Sequence, residues 1–480
     1  MLIQIGVNSR KALGKLTERS LDWLSPRVLI PAARLRRRIR PSQRGTFRNY
    51  IEGAQFRLSA KTWDREQRRG WILKRLRHSV RRAYRETEFY RMRLESIGFD
   101  PFVEFGFDDF AQIPVLERED IRNAPERIVS RSVPPHLLKR DSTGGSTGEP
   151  TEIRLGPEEA GWRESAGDWF QERLEVGPGA RTAFLWGHHL DPVRSDTLRD
   201  RVYALQYNLR WFDCFRLSRE VLAKYHREFE RYQPACIVAY ASALAALARY
   251  LRDERFSPGY PTRCLVTGAE KLADTDRELI ESVFRKPVHE RYGSRDVGFV
   301  AYQLDLSNSH DFEIDWANLL VEPEREETDS PILITKLHAD AMPMLRYRIG
   351  DIGRFPISSR PGHPTFALAE VLGRETDRIC LPDGRWIHGI EIPHLMKEYP
   401  ITTFMLSQRS DYSVDLQIVP STGFDDSAQL AIESAIGANL PGLSLRVSVV
   451  QEIPKTKSNK WRPVVSDVRP SIDEVAQRAE

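Results

Sequence analysis

Cysteine is scarce in this chain: four in 480 residues, at positions 214, 236, 264 and 380. They are too widely spaced for a CxxC metal or redox motif, and they fit a reducing compartment. Long apolar runs are also missing. No stretch approaches the roughly 18 consecutive apolar residues that a membrane span needs. The opening MLIQIGVNSRKALGKL lacks the continuous apolar centre of a secretory signal, so a cytoplasmic protein is the expectation. Neither sign of charge prevails. The 72 basic and 68 acidic side chains leave +4, and bulk charge therefore gives no reason to infer a specific nucleic-acid partner. No internal repeat is visible.

What is present describes an ordinary globular protein of more than one domain. Apolar residues make up 40% of the chain and charged residues 29%, while 480 residues exceed what a single compact core usually supports. One segment concentrates charge. PAARLRRRIRPSQR, residues 31–44, gathers Arg34, Arg36, Arg37, Arg38, Arg40 and Arg44. It reads either as a solvated helix face with arginine stems over apolar neighbours or as a strip that docks on an anionic surface.

Residues 65–97 carry Leu73, Leu76, Val80, Ala83 and Tyr84 at steps of three and four, the period of an amphipathic helix, so residues 1–110 are expected to be a mostly helical lead-in. From about residue 217 the pattern alternates. The helical SREVLAKYHREFERY, SALAALARYLRDE and DTDRELIESVF are separated by the short apolar runs ACIVAY, RCLVTGAE and PVHERYGSRD. Single helices between β-rich runs make βαβ units and a parallel sheet, whose ligands sit beyond the carboxyl ends of the strands. Those ends carry AYAS, TGAE and YGSRD, which should open onto one crevice. After PMLRYRIGDIGRF, shorter alternating runs such as YSVDLQIVP and SLRVSVVQEIP point to a small α+β domain over 373–480.

The segment DSTGGSTGEP, residues 141–150, is nearly all glycine and small hydroxyl residues. Glycine lets backbone N–H groups approach a ligand closely and the hydroxyls add donors, so phosphate is one cargo. A flexible turn is the other reading of this segment taken alone.

The glycine-rich loop, TGAE, YGSRDVG, YRIGD, GRETD and PKTKSNK occur in this order between residues 142 and 460. In that order the chain resembles the adenylate-forming enzymes. Within them it is similar to the phenylacetate-coenzyme A ligase family, in particular the branch associated with capsular polysaccharide biosynthesis loci, and IPVLEREDIRNAP resembles that family's lead-in. The resemblance implies an α/β fold with a large N-terminal adenylation domain with parallel-rich sheets over 1–372, and a small mobile α+β lid over 373–480. It further implies an ATP-dependent acid–thiol ligase that joins an aromatic or other carboxylic acid to the α-phosphate of ATP and passes the acyl group to coenzyme A. Its cofactors would be ATP, Mg2+ and coenzyme A.

Residue by residue, the resemblance assigns Ser142, Thr143, Gly144, Gly145, Ser146, Thr147 and Gly148 to the β- and γ-phosphates. Thr151 stands where the superfamily often has a lysine, which leaves phosphate charge to be met elsewhere. Gly268, Ala269 and Glu270 would run along the adenine, beside Tyr292 and Gly293. Asp296 takes the position of a magnesium-binding glutamate, and Arg295 one that is usually Ser or Thr. Asp351 would accept the ribose hydroxyls, and Arg374 would contact ribose or phosphate at the domain junction. Thr376 replaces the Asp hinge of many relatives. Lys460 stands for the catalytic lysine of the lid, after Asn459 in place of Gly, with Lys455 and Lys457 as rivals. For the acid pocket the expected residues are Tyr240, Ser242 and His188; neither His188 nor His189 has metal-ligand spacing with another His or Cys. Two alternatives stay open. One is adenylation with a hydroxyl, amine or sugar as acceptor, and the other is a nucleotide-binding scaffold without catalysis, for which Arg295 and Asp296 are the hints.

Overall fold

The computed structural model describes residues 31, 41–142, 151–186, 204, 207–214, 217–307, 310–374, 378–382, 386–388, 391–396, 399–421, 423–453 and 464–468. Helices α1 (Pro41–Ser59), α2 (Arg65–Glu86) and α3 (Glu88–Ser96) form the lead-in. The single helix expected over 65–97 is two, because Thr87 adopts extended backbone and its hydroxyl caps α3 through the Tyr90 N–H. A short helix, α4 (Arg118–Asn123), precedes the hairpin of β1 (Lys139–Ser142) and β2 (Glu152–Leu155), and α5 (Pro157–Arg173) follows it.

The alternating region folds as its pattern predicts. Strands β3 (Thr182–Trp186), β4 (Leu209–Asp213), β5 (Cys236–Tyr240), β6 (Cys264–Gly268) and β7 (Val288–Ser294) pair in parallel, in the order β7-β6-β5-β3-β4. Helices α6 (Arg219–Tyr232), α7 (Ala241–Asp253) and α8 (Asp274–Phe284) connect them. The sheet then turns antiparallel through β8 (Gly298–Gln303), β9 (Phe312–Ile314) and β13 (Ala367–Leu368). A second sheet, antiparallel throughout, has the order β10 (Leu319–Pro323), β11 (Asp329–Lys336), β12 (Tyr347–Arg354), β14 (Glu370–Arg374). Toward the C-terminus β15 (Arg378–Cys380) pairs with β16 (Trp386–His388). There, β17 (Ile401–Gln408), β18 (Val414–Pro420), β19 (Leu445–Val449) and β20 (Val464–Ser466) form a mixed sheet with α9 (Glu391–Met396) and α10 (Asp426–Asn439). Their apolar cluster draws only on residues between 379 and 464.

The lead-in is fastened to the larger sheets by buried chemistry that periodicity does not reveal. Helices α1 and α5 cross where each lacks a side chain: a Cβ on Gly161 would meet the Thr46 carbonyl, and one on Gly53 the Ser165 hydroxyl. Beside that crossing, Arg57 donates to both carboxylate oxygens of Asp315 at 2.8 and 3.0 Å and to Ser165 Oγ at 2.9 Å, with both ion-pair side chains 3% exposed. Trp71, Trp162 and Trp316 gather around Phe56, and His338 stacks on Trp162 at 3.7 Å.

His338 Nδ1 lies 3.0 Å from Arg75 Nη2 and 3.3 Å from Glu158 Oε1, and its Nε2 lies 3.1 Å from the Ala317 carbonyl. Burial outweighs the raising effect of Glu158 and, with the Arg75 charge, pushes the imidazole from 6.5 down to about 4. Between those values the unfolded chain binds a proton that the folded chain refuses, so this group makes stability fall as pH drops through that window. His338→Phe keeps a ring on Trp162 and removes the titration. Its unfolding free energy should vary less steeply than the parent's between pH 6.5 and 4 in denaturant titrations, and identical slopes would contradict the assignment.

Candidate active site

The carboxyl ends of β5, β6 and β7 lie side by side, so AYAS, TGAE and YGSRD stand together at one end of the sheet, where the crevice is expected. Tyr240 closes β5, buried and 4.5 Å from the Trp186 ring. Ala269, directly after β6, has φ +67, a left-handed conformation that a non-glycine residue adopts only under local constraint. The next residue, Glu270, accepts the backbone N–H of Ser242 at 3.0 Å in the first turn of α7, where a carboxylate is favoured by the helix dipole. Ser242 itself is exposed. Gly293 has no room for a side chain: a Cβ would run into the Gly298 carbonyl across the β7–β8 hairpin.

Three residues expected at the nucleotide converge: Tyr292 beside the adenine, Asp351 at the ribose and Arg374 at ribose or phosphate. Tyr292 donates its hydroxyl proton to Asp351 Oδ2 at 2.8 Å, and Arg374 Nε lies 3.1 Å from Asp351 Oδ1. Strand register explains the second contact, since Asp351 and Arg374 are opposed across β12 and β14. Burial and the Asp351 charge push the Tyr292 phenol well above its ordinary value, which keeps it a donor. An ionised carboxylate has about four lone-pair sites, so acceptor capacity remains for a pair of hydroxyls.

Asp296 is 2% exposed, and its Oδ2 accepts from Tyr347 Oη at 2.7 Å and from Arg118 Nη2 at 3.2 Å. Arg118 also reaches Tyr347 Oη at 3.3 Å. Behind this turn Arg163 of α5 donates to the carbonyls of Arg295, at 3.0 Å, and of Asp296. Arg163 is paired in turn with Glu159, and Glu159 with the buried Lys336 at 2.9 Å. Burial lowers the Lys336 amine to about 8. The structure thus surrounds Asp296 with positive charge. Among the described residues no group of three His, Cys, Asp or Glu side chains could hold a metal ion. A single carboxylate still suits magnesium that travels with nucleotide phosphates, because that ion keeps most of its waters and takes one or two protein ligands.

The sequence reading gave no role to Arg118, Arg163, Glu159 or Lys336. Arg118 had a signal as part of IPVLERED, and Glu159 and Arg163 stand at i,i+4 on α5; the contacts of Arg163 with the 295 and 296 carbonyls and of Lys336 with Glu159 span separations that no local pattern encodes. Arg295, half-exposed, lies 3.8 Å from Asp141 of β1. Thr151 is buried and accepts from Arg122 Nε at 3.0 Å. Ser142 ends β1. Thr143, Gly144, Gly145, Ser146, Thr147, Gly148, His188, His189, Thr376, Asn459, Lys455, Lys457, Lys460 and the arginines from Arg34 to Arg40 lie outside the described residues. Among the described residues, no helix is long and apolar enough to cross a membrane.

The fold is that of the adenylate-forming enzymes. A solved structure of 2-hydroxyisobutyryl-CoA ligase, in the postadenylation state in complex with R3-HIB-AMP, matches with a TM-score of 0.64 at 19% identity, over 87% of this chain and 93% of that one. In sequence, the chain is similar to Protein CapK of Staphylococcus aureus, 24% identical over 370 residues that cover 75% of this chain and 80% of that protein. It is similar also to phenylacetate-coenzyme A ligase of Pseudomonas putida, 23% identical over 387 residues, with coverage of 75% and 80%. The resemblance read from the ordered motifs therefore extends over most of the chain. No family model matches.

Arg118→Met leaves the Asp296 carboxylate buried without its cation. Removing one partner of a buried pair costs about 3–5 kcal/mol; the part-exposure of Arg118, 17%, places the expected loss at the lower end. Chemical denaturation should show an earlier midpoint, partly restored in Arg118→Lys. A midpoint unchanged from the parent would remove the pair from the account of the site.

Proposed function

We propose that the protein is an ATP-dependent acid–thiol ligase. A carboxylate oxygen attacks the α-phosphorus and pyrophosphate leaves; the acceptor thiolate then attacks the acyl carbon and AMP leaves. The observation that carries this reading is the convergence of Tyr292, Asp351 and Arg374 beside the ends of β6 and β7. In it, Asp351 accepts the ribose hydroxyls, Arg374 stands next to them as a fixed cation, and Gly268, Ala269 and Glu270 border the base. Tyr240 and Ser242, with His188, belong to the wall of the acid pocket in this reading.

Catalysis here consists of positioning and of charge placed where it develops on phosphorus and on the departing oxygen. Asp296 is the carboxylate that would meet the magnesium of the nucleotide, which screens the phosphate charge. In this reading the hydroxyls and amides of residues 142–148 are the donors for the β- and γ-phosphates. Arg295 and Arg118 give this end of the crevice the positive charge that Thr151 does not supply. Residues 373–480 act as the lid that brings Lys460 to the adenylation step and withdraws it for transfer to coenzyme A. The reading places the enzyme in the cytoplasm, with the Arg34–Arg44 strip available to an anionic surface.

Exchange of labelled pyrophosphate into ATP, driven by one member of a panel of carboxylic acids, tests the adenylation step. Failure of exchange together with no calorimetric ATP binding at millimolar nucleotide would overturn the reading. Asp351→Ala should weaken ATP binding by at least tenfold, since hydrogen bonds to a charged acceptor contribute about 1.5–3 kcal/mol each; unchanged affinity would take Asp351 out of the site.

The lid assignment has its own signature. Lys460→Ala should lose adenylate formation by on the order of a hundredfold while still transferring an acyl group from a supplied acyl-adenylate. Equal loss of both half-reactions would contradict a lysine that works in only one pose.

A further inference from the structure

Successive residues of a strand point to opposite faces, and β7 uses this at the crevice. Tyr292 faces Asp351 on the nucleotide side; Arg291, one residue earlier, faces the other way. Its guanidinium carbon lies 4.7 Å from the centre of the Trp186 ring and 5.7 Å from that of Phe299, and its charge acts on the buried phenol of Tyr302. Gly268 makes room for this side chain, since a Cβ there would stand 2.9 Å from Arg291 Cγ and 3.2 Å from Nε. Trp186 in turn leans on Tyr240 at 4.5 Å. Four adjacent parallel strands thus contribute, at their carboxyl ends, two aromatic rings, a bare glycine and a half-buried cation.

Among the described residues no carboxylate answers that cation. Among the described residues no ion pair includes Arg291, and its contacts are two ring faces and a neutral phenol. Cation–π contacts offset only part of the desolvation of a guanidinium. A carboxylate is the natural complement, because the planar fork of arginine matches it with two parallel hydrogen bonds. The carboxylate activated on the α-phosphate cannot be that complement, since it must lie on the Asp296 side, where Tyr292 marks the nucleotide. The group that meets Arg291 is therefore at the opposite end of the acid.

We propose that Arg291 is a specificity-determining residue and that the acid accepted by this crevice carries a second carboxylate, on a carbon framework flat enough to lie against Trp186 and Tyr240. The inference rests on the reading that the protein activates a carboxylic acid, and it narrows that reading to dicarboxylic acids. A site that presents a cation to pair with a substrate anion rejects the analogue lacking that anion far more strongly than an apolar pocket rejects an extra methylene.

The test compares acids matched except for the second carboxylate, benzene-1,4-dicarboxylate against benzoate and 1,4-phenylenediacetate against phenylacetate, by calorimetry on the full chain with AMP present. The parent should bind each dicarboxylate at least tenfold more tightly than its partner. Arg291→Met, which keeps a stem of similar length against Trp186, should lose that preference while binding AMP as the parent does; Arg291→Lys should keep part of it. A parent that binds neither dicarboxylate, or binds the single acids equally well, overturns the proposal, as does a preference that survives in Arg291→Met. Loss of AMP binding in the parent would instead count against the ligase reading, and an Arg291-dependent preference for dicarboxylates measured without nucleotide would still uphold the pocket.

Discussion

The turn between β7 and β8 is where buried charge and active-site geometry become one problem. Asp296 is almost fully out of water, and a carboxylate in that position is tolerable only with a cation and hydrogen bonds in place. Arg118 and Tyr347 supply them on one side. On the other, Arg163 holds the two carbonyls of the turn, and Glu159 and Lys336 hold Arg163. Helix α4, helix α5 and both sheets each contribute a member, so the turn is positioned only when all of them have packed. Arg57 with Asp315 and the aromatic cluster around Phe56 join the same elements from outside, which ties the helical lead-in to the site it never touches.

The crevice is unusual in how much of its charge is arginine. Arg118, Arg291, Arg295 and Arg374 surround it, while Thr151 stands at the position where a lysine is common in the superfamily and is occupied with Arg122. Guanidinium groups are always charged and present fixed forks of donors, so in the proposed reading the phosphate end and the acid end of the crevice are each met by planar cations. In that reading Arg291 and Tyr292 divide the two ends between the two faces of one strand.

Much of this was legible in the sequence. The βαβ alternation after residue 217 sets out β5, β6 and β7 and their helices nearly to the residue, since each apolar run is short and each helix is amphipathic; β3 and β4 lie before it. Tyr292, Asp351 and Arg374, more than eighty positions apart in the chain from first to last, could be placed together only through the resemblance, and the structure brings them into contact. Local pattern could not give the order β7-β6-β5-β3-β4, the antiparallel second sheet, or the break at Thr87, where one polar side chain prefers capping to continuing a helix. Nor could it give Arg118, Arg163 and Lys336: their roles depend on partners 178, 133 and 177 positions away, a distance over which periodicity carries no information.

The central claim is that the ends of β5, β6 and β7 hold an adenylate. A crystal structure of the full chain grown with AMP tests it most directly. The account predicts both ribose hydroxyls within about 3 Å of the Asp351 carboxylate, the base against residues 268–270, and the phosphate turned toward Arg295 and Asp296. AMP bound with its ribose away from Asp351, or on another face of the molecule, would contradict it.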